Sequence, residues 1–162
     1  MKTRLISIIL AAAMLIPTAL LTSCGETVSY SADIAVSDLA ACADAALTES
    51  DKYTDISESY ITNRMEIDLS AIEDYAVKIN VIDEYGIFKA PSDDDVEAIK
   101  ETVETYLGRR VEEWMPEYMP EEFPKVENAE VKVFGRYVVY AILSEDAKTD
   151  VFTAIENTLL GK

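Results

Sequence analysis

The side chains in this sequence that could act as nucleophiles or as general acids are two cysteines and many carboxylates. Cys24 and Cys42 are the thiols, and 31 Asp and Glu residues stand against 14 Lys and Arg residues in a 162-residue chain without histidine. A Ser-His-Asp triad, a histidine base and a histidine metal ligand are therefore excluded. The formal charge of −17 argues against nucleic acid as a partner, because nucleic-acid-binding surfaces are basic.

Neither the thiols nor the carboxylates form a catalytic pattern. Cys42 lies on the apolar face of a predicted helix, which favours a small buried side chain over a reactive thiol. So many acids make chance pairs inevitable, and no pair lies on an apolar background that would raise a carboxyl pKa. We therefore predict no catalytic residues. Paired-carboxylate hydrolysis is the alternative.

Two further groups of charged residues have structural interpretations. Asp93-Asp94-Asp95 follows Ser92 at the start of a strong helical pattern, so we expect these residues to cap a helix. Calcium binding is the alternative, although the spacing of an EF-hand loop is missing. Arg110 lies on the apolar stripe of the same helix and needs a partner, for which we predict an ion pair with Glu84. No metal site and no cofactor are predicted.

Three aromatic residues alternate with prolines after this helix. Trp114, Tyr118 and Phe123 surround Pro116 and Pro120. Exposed aromatic rings at these positions could stack on sugars or dock a peptide. Such residues more often close the end of a helix against a sheet, and we predict that they belong to the core.

The first 23 residues predict a secretory signal peptide. Lys2 and Arg4 form a basic start, and residues 5–21 form an apolar run without charge. The run has 17 residues and contains a proline, which makes a membrane-spanning helix the weaker interpretation. Small residues follow the run, as they do at signal-peptide cleavage sites.

The end of this segment, Leu21-Thr22-Ser23-Cys24, resembles a bacterial lipobox. The resemblance implies cleavage between Ser23 and Cys24 and a diacylglycerol anchor on the Cys24 thiol. Acyl chains such as palmitate contribute about 0.8 kcal/mol per buried methylene to membrane binding. The cleaved chain would keep 12 basic and 31 acidic side chains, a charge of −19 that anionic headgroups repel. We therefore expect the protein on the extracytoplasmic face of the cell membrane, held there by membrane lipid alone.

The remaining sequence predicts a short tether and one domain. Residues 24–32 are small and polar after the lipidated cysteine, and residues 33–162 carry the helical and strand patterns. The order predicts an α+β domain: an N-terminal helical segment, then a four-stranded, mostly antiparallel sheet with helices packed mainly on one face. The predicted strands are 76–81, 85–89, 130–134 and 137–143.

Short segments in a fixed order along the chain carry a family resemblance. They are Asp83–Lys89, Val96–Arg110, Tyr118–Glu121, Val126–Ala129 with Val131, Gly135 with Tyr137-Val138, and Ser144–Asp146. Together they resemble a family of small lipoproteins from Gram-positive Firmicutes that is described as a domain of unknown function. The resemblance covers roughly residues 37–150 and implies a lipid-anchored extracytoplasmic protein. It brings no catalytic or ligand-binding residues.

These observations favour a non-enzymatic binding or interaction module that is anchored to the membrane. Its partner would be a protein or a glycan, which the sequence does not identify. Two other classes stay open: a carboxylate-dependent hydrolase acting on cell-wall or dietary glycans, and an acidic protein that buffers cations at the membrane.

Overall fold

The computed structural model describes residues 29–162, which form five α-helices and five strands. The helices are α1 Val36–Ala46, α2 Glu58–Asn63, α3 Val96–Glu112, α4 Phe123–Glu127 and α5 Glu145–Leu159. The strands are β1 Thr54–Asp55, β2 Asp74–Asn80, β3 Asp83–Lys89, β4 Glu130–Phe134 and β5 Tyr137–Ile142.

The strands form one sheet in the order β1-β2-β3-β5-β4, and every neighbouring pair is antiparallel. The α+β class and the antiparallel sheet are thus confirmed, but the prediction of four strands is wrong because the sheet has five. The extra strand, β1, has two residues and pairs with Lys78 and Ile79 of β2. A strand this short cannot show the alternating pattern by which strands are recognised in a sequence.

Helices cover both faces of the sheet, so the prediction of helices mainly on one face is also wrong. On one face, α1 and α5 pack against Tyr85, Ile87 and Val139. On the other face, α3 packs with α2 and α4 against Phe88 and Val138. The reason lies in the central strands, since all six residues of β5 are buried and a sheet that is apolar on both sides needs two covering layers.

The long helix α3 follows its apolar stripe but begins differently from the prediction. Residues 93–95 form a separate 3₁₀ turn before α3, and no side chain caps either element. The Ser92 hydroxyl instead donates to Oδ2 of Asp95 at 2.6 Å. The predicted capping bond is therefore wrong, although the acidic residues do lie at the positive end of the helix dipole.

The sheet has two ends, which we call the near end and the far end. The near end holds the β4–β5 turn, where the ring centroid of Tyr30 lies 5.6 Å from that of Phe134. The main-chain N–H of Ser31 donates to the carbonyl of Leu159 at 2.9 Å, so the first described residues and the last turn of α5 meet there. The far end holds the β2–β3 turn with Val81, and α3 ends beside it.

Candidate functional site

A fully buried carboxylate joins α3 to the far end of the central strands. Glu84, at the start of β3, is 0% exposed. Its Oε2 accepts a hydrogen bond from Nη1 of Arg110 at 2.7 Å, which agrees with the predicted ion pair. The hydroxyl of Tyr106 donates to Oε1 at 2.8 Å, and the hydroxyl of Tyr140 donates to the same oxygen. These two tyrosines were not anticipated from the sequence.

A glycine makes room for this cluster. Gly86 is paired with Tyr140 across β3 and β5, and the Tyr140 ring lies over the position where a side chain would begin. A Cβ atom at Gly86 would lie 2.2 Å from Cε1 of Tyr140. A glycine inside a strand often marks such a close approach, and it is the sequence signal that could have revealed the cluster.

The electrostatics of the cluster keep both phenols protonated. Burial raises the pKa of Tyr106 and of Tyr140 above the ordinary value of 10.0, and the charge of Glu84 raises both further. Both oxygens of Glu84 are occupied by donors and its side chain has no exposed surface. This group is therefore placed to fasten α3 to the sheet and is closed to a substrate.

The fastened helix leads into a cleft at the far end. Val111, Trp114, Pro116, Pro120 and Phe123 line a space of about 330 Å³. The ring centroid of Trp114 lies 5.7 Å from that of Phe123 and 6.0 Å from that of Tyr118. The prolines explain the irregular path, because a proline cannot continue a helix or donate a main-chain hydrogen bond. We call this space the far-end cleft.

The prediction that the aromatic residues of this segment belong to the core is confirmed only in part, because Trp114 packs against the core on the α3 face and Tyr118 does not. Trp114 and Phe123 are half-buried, and Tyr118 is 50% exposed. Met115 is 63% exposed, and Val81 in the neighbouring β2–β3 turn is 67% exposed. Among the described residues, three of the four exposed large apolar side chains thus belong to the far end.

The indole nitrogen of Trp114 is buried without a hydrogen-bond partner among residues 29–162. A buried donor that is left unsatisfied costs about 1–3 kcal/mol. The residue with this unsatisfied donor, Trp114, lines the far-end cleft.

Acidic residues surround the same cleft. The segment Glu112–Glu127 contains six glutamates and one lysine. Nζ of Lys125 forms ion pairs with Oε2 of Glu122 and Oδ1 of Asp83, each at 2.6 Å. Four exposed glutamates of the segment form no ion pair with a basic side chain of the described chain: Glu112, Glu117 and Glu121, which are next to cleft-lining residues, and Glu127. The far-end cleft therefore has an apolar lining and a negatively charged surround.

The other residues singled out in the sequence fall elsewhere. Ser23 and Cys24, at the predicted cleavage and lipid attachment site, lie outside the described residues. Cys42 is partly buried between α1 and α5, and its sulfur accepts a hydrogen bond from the Thr158 hydroxyl at 3.3 Å. Within residues 29–162, no three Asp, Glu or Cys side chains come together as metal ligands could. Over the same range, no helix is both long and apolar enough to cross a bilayer.

Residues 45–143 match a protein family described as a domain of unknown function, DUF4358. The chain belongs to this family. The DUF4358 region begins at the end of α1 and closes just after β5, so it contains the Glu84 cluster and the far-end cleft. Most of α1 and all of α5 lie outside it.

The search of curated proteins gives no match, and no solved structure matches the chain. The function of this DUF4358 protein is therefore inferred from its own residues.

Proposed function

We propose that this protein is a lipid-anchored extracytoplasmic lipoprotein of a Gram-positive bacterium, and that it binds a partner protein through the far-end cleft. The observation that carries the binding role is an apolar cleft with the exposed side chains of Met115 and Tyr118 beside it. Exposed apolar patches of this kind mark interaction sites, and Trp and Tyr are frequent anchors in protein interfaces.

The anchor is supported by the signal-like sequence and by the position of Tyr30. Tyr30 follows Cys24 by six positions, which span roughly 20 Å when extended. Tyr30 contacts the near end of the domain. The strands β2 and β3 have seven residues each, so the cleft lies roughly another 20 Å further along the sheet. A lipid on Cys24 would thus leave the cleft facing away from the membrane.

The anchor is tested by replacing Cys24. With Cys24→Ala, we expect the protein to lose incorporation of an alkyne-tagged fatty acid and to move out of the membrane fraction. Cys42→Ala is the matched control, because Cys42 is the other cysteine of the chain, and it should leave both measurements unchanged. A Cys24→Ala protein that still carries the fatty acid would refute the proposed anchor.

The binding role is tested by crosslinking in intact cells followed by solubilisation in detergent. We expect Met115→Ala/Tyr118→Ala to lose the crosslinked partner while keeping the fold, since both side chains are at least half exposed. Val133→Ala is the matched control, because Val133 is exposed on β4, outside the far-end cleft. Equal crosslinking of all three proteins would refute binding through the cleft.

A further inference from the structure

We infer that the occupant of the far-end cleft is a cationic peptide segment of the partner, which places an apolar side chain against the paired rings of Trp114 and Phe123. The inference rests on the proposed binding function and adds the chemistry of the partner. It follows from two properties that occur together at this site, an apolar lining and an uncompensated negative surround.

The negative charge of the glutamates around the cleft favours a basic partner. Glu112, Glu117 and Glu121 are exposed and form no ion pair with a basic side chain of residues 29–162. Each lies within two positions of a residue that lines the cleft. The mutual repulsion of these carboxylates is relieved when lysine or arginine side chains approach, and the net charge of −17 steers a cation toward the protein.

The lining selects an extended peptide with an apolar side chain. Rings of Trp114 and Phe123 with centroids 5.7 Å apart, together with Pro116 and Pro120, give rigid apolar walls. The exposed ring of Tyr118 can receive a lysine or arginine over its face.

Other occupants fit less well. A membrane surface with anionic lipid would meet three unpaired glutamates, and the cleft lies at the opposite end of the sheet from Tyr30. A second copy of this chain would bring the same negative surround against itself. An acidic peptide would be repelled for the same reason.

The experiment uses Trp114 as its reporter, since it is the one tryptophan of the chain. A short peptide of Lys-Leu-Pro repeats is titrated into the protein, with Gln-Leu-Pro and Glu-Leu-Pro repeats as matched peptides. We expect the lysine peptide to shift Trp114 emission and to bind at least about tenfold more tightly than the glutamine peptide. Its affinity should fall as salt rises from about 0.01 M to about 0.15 M, where the Debye length shrinks from about 30 Å to about 8 Å.

Two charge variants locate the effect. Glu112→Gln/Glu117→Gln/Glu121→Gln should weaken binding of the lysine peptide by roughly tenfold. Asp93→Asn/Asp94→Asn/Asp150→Asn removes the same charge from exposed positions away from the cleft and should change affinity much less. Circular dichroism spectra that match the parent protein establish that both variants fold.

Several results would overturn the inference. The first is equal affinity for the three peptides, and the second is an equal loss of affinity for the lysine peptide in the two charge variants. The third is a shift of Trp114 emission that phosphatidylglycerol vesicles, a chito-oligosaccharide or self-association produces and none of the peptides does. These results would leave the proposed binding function standing if crosslinking in cells still required Met115 and Tyr118. A loss of that crosslinking requirement would instead refute the proposed function.

Discussion

At the scale of single residues, the far end depends on one carboxylate. Glu84 is completely buried and holds Arg110, Tyr106 and Tyr140 through its two oxygens. A buried charge is tolerated only when its partners compensate for lost hydration, so each member of the cluster depends on the others. The cluster joins the last turns of α3 to the sheet, close to Trp114 and the far-end cleft.

Removing this charge should destabilise the domain. Glu84→Gln leaves the positive charge of Arg110 without its carboxylate partner. We expect the free energy of unfolding to fall by about 3 kcal/mol, as it does when buried pairs are broken. Urea denaturation measures the change. Glu97→Gln, which breaks an exposed pair with Lys100, is the control and should change stability little. Equal stability of Glu84→Gln and the parent protein would show that the cluster does not hold α3.

A methyl group at Gly86 should disturb the same cluster. Gly86→Ala places Cβ against the ring of Tyr140, and overpacking of this kind costs about 1–3 kcal/mol. The double variant Gly86→Ala/Tyr140→Leu removes the ring that clashes. We therefore expect its loss of stability to be smaller than the sum of the two single losses, in a double-mutant cycle by thermal and urea unfolding. If the losses of stability from Gly86→Ala and Tyr140→Leu are additive, the effect of Gly86→Ala does not come from the clash with the Tyr140 ring.

At the scale of elements, the helices differ in how their first turns are secured. The Ser144 hydroxyl accepts a hydrogen bond from the N–H of Ala147, which caps α5. Ser92 makes no such bond to the main chain of α3. A serine before an acidic run is therefore compatible with two different helix starts.

This difference predicts unequal effects of the same substitution. Ser144→Ala should reduce stability by about 1 kcal/mol, the usual loss for a capping serine. Ser92→Ala should reduce it clearly less, because the hydroxyl serves only Asp95. Chemical denaturation of the two variants side by side tests the contrast. A larger loss at Ser92 would mean that the turn at residues 93–95 is the true start of α3.

Long local patterns are what the sequence predicts well. The apolar stripe of α3, the β4–β5 hairpin and the buried β5 follow from periodicity. The charged Arg110 on an apolar stripe was enough to predict its pairing with Glu84. Tyr140 was missed because, inside an apolar run, tyrosine looks like another core residue.

Features that depend on distant packing could not be predicted in this way. The two-residue β1 is visible only through its partner β2. The continuous apolar run of β5 indicates a strand that is covered on both faces. Which helices cover each face depends on where α1 and α5 dock, and no local pattern encodes that. The aromatic residues among the prolines were predicted to belong to the core, but whether Tyr118 is covered depends on how the chain from Trp114 to α4 folds back.

At the scale of the whole molecule, the protein combines a strongly acidic surface with a core rich in tyrosine. Tyr85, Tyr106, Tyr137 and Tyr140 are among its largest fully buried side chains. Their hydroxyls reach carboxylates or carbonyl groups in the interior. The two helical layers are thus joined to the sheet by phenol hydrogen bonds as well as by apolar packing.

This arrangement predicts a loss of stability at alkaline pH. Burial raises the pKa of Tyr106 and Tyr140 above 10.0, so the folded state keeps protons that the unfolded chain releases. Their contribution is complete below about pH 10 and declines above it, by about 1.4 kcal/mol per pH unit for each tyrosine. Urea denaturation between about pH 8 and 11 measures the slope, and Tyr106→Phe should reduce it. An unchanged slope in that variant would contradict the assignment.

The meeting of the first described residues with α5 at the near end has a practical consequence. Ser31 and Leu159 are joined by a main-chain hydrogen bond, and Lys162 follows only three residues later. A fluorescent protein fused after Lys162 would therefore emerge beside Tyr30, with the length of the sheet between it and Trp114. Such a fusion leaves the cleft unobstructed, so the protein can be imaged in living cells while its contacts at the other end stay available.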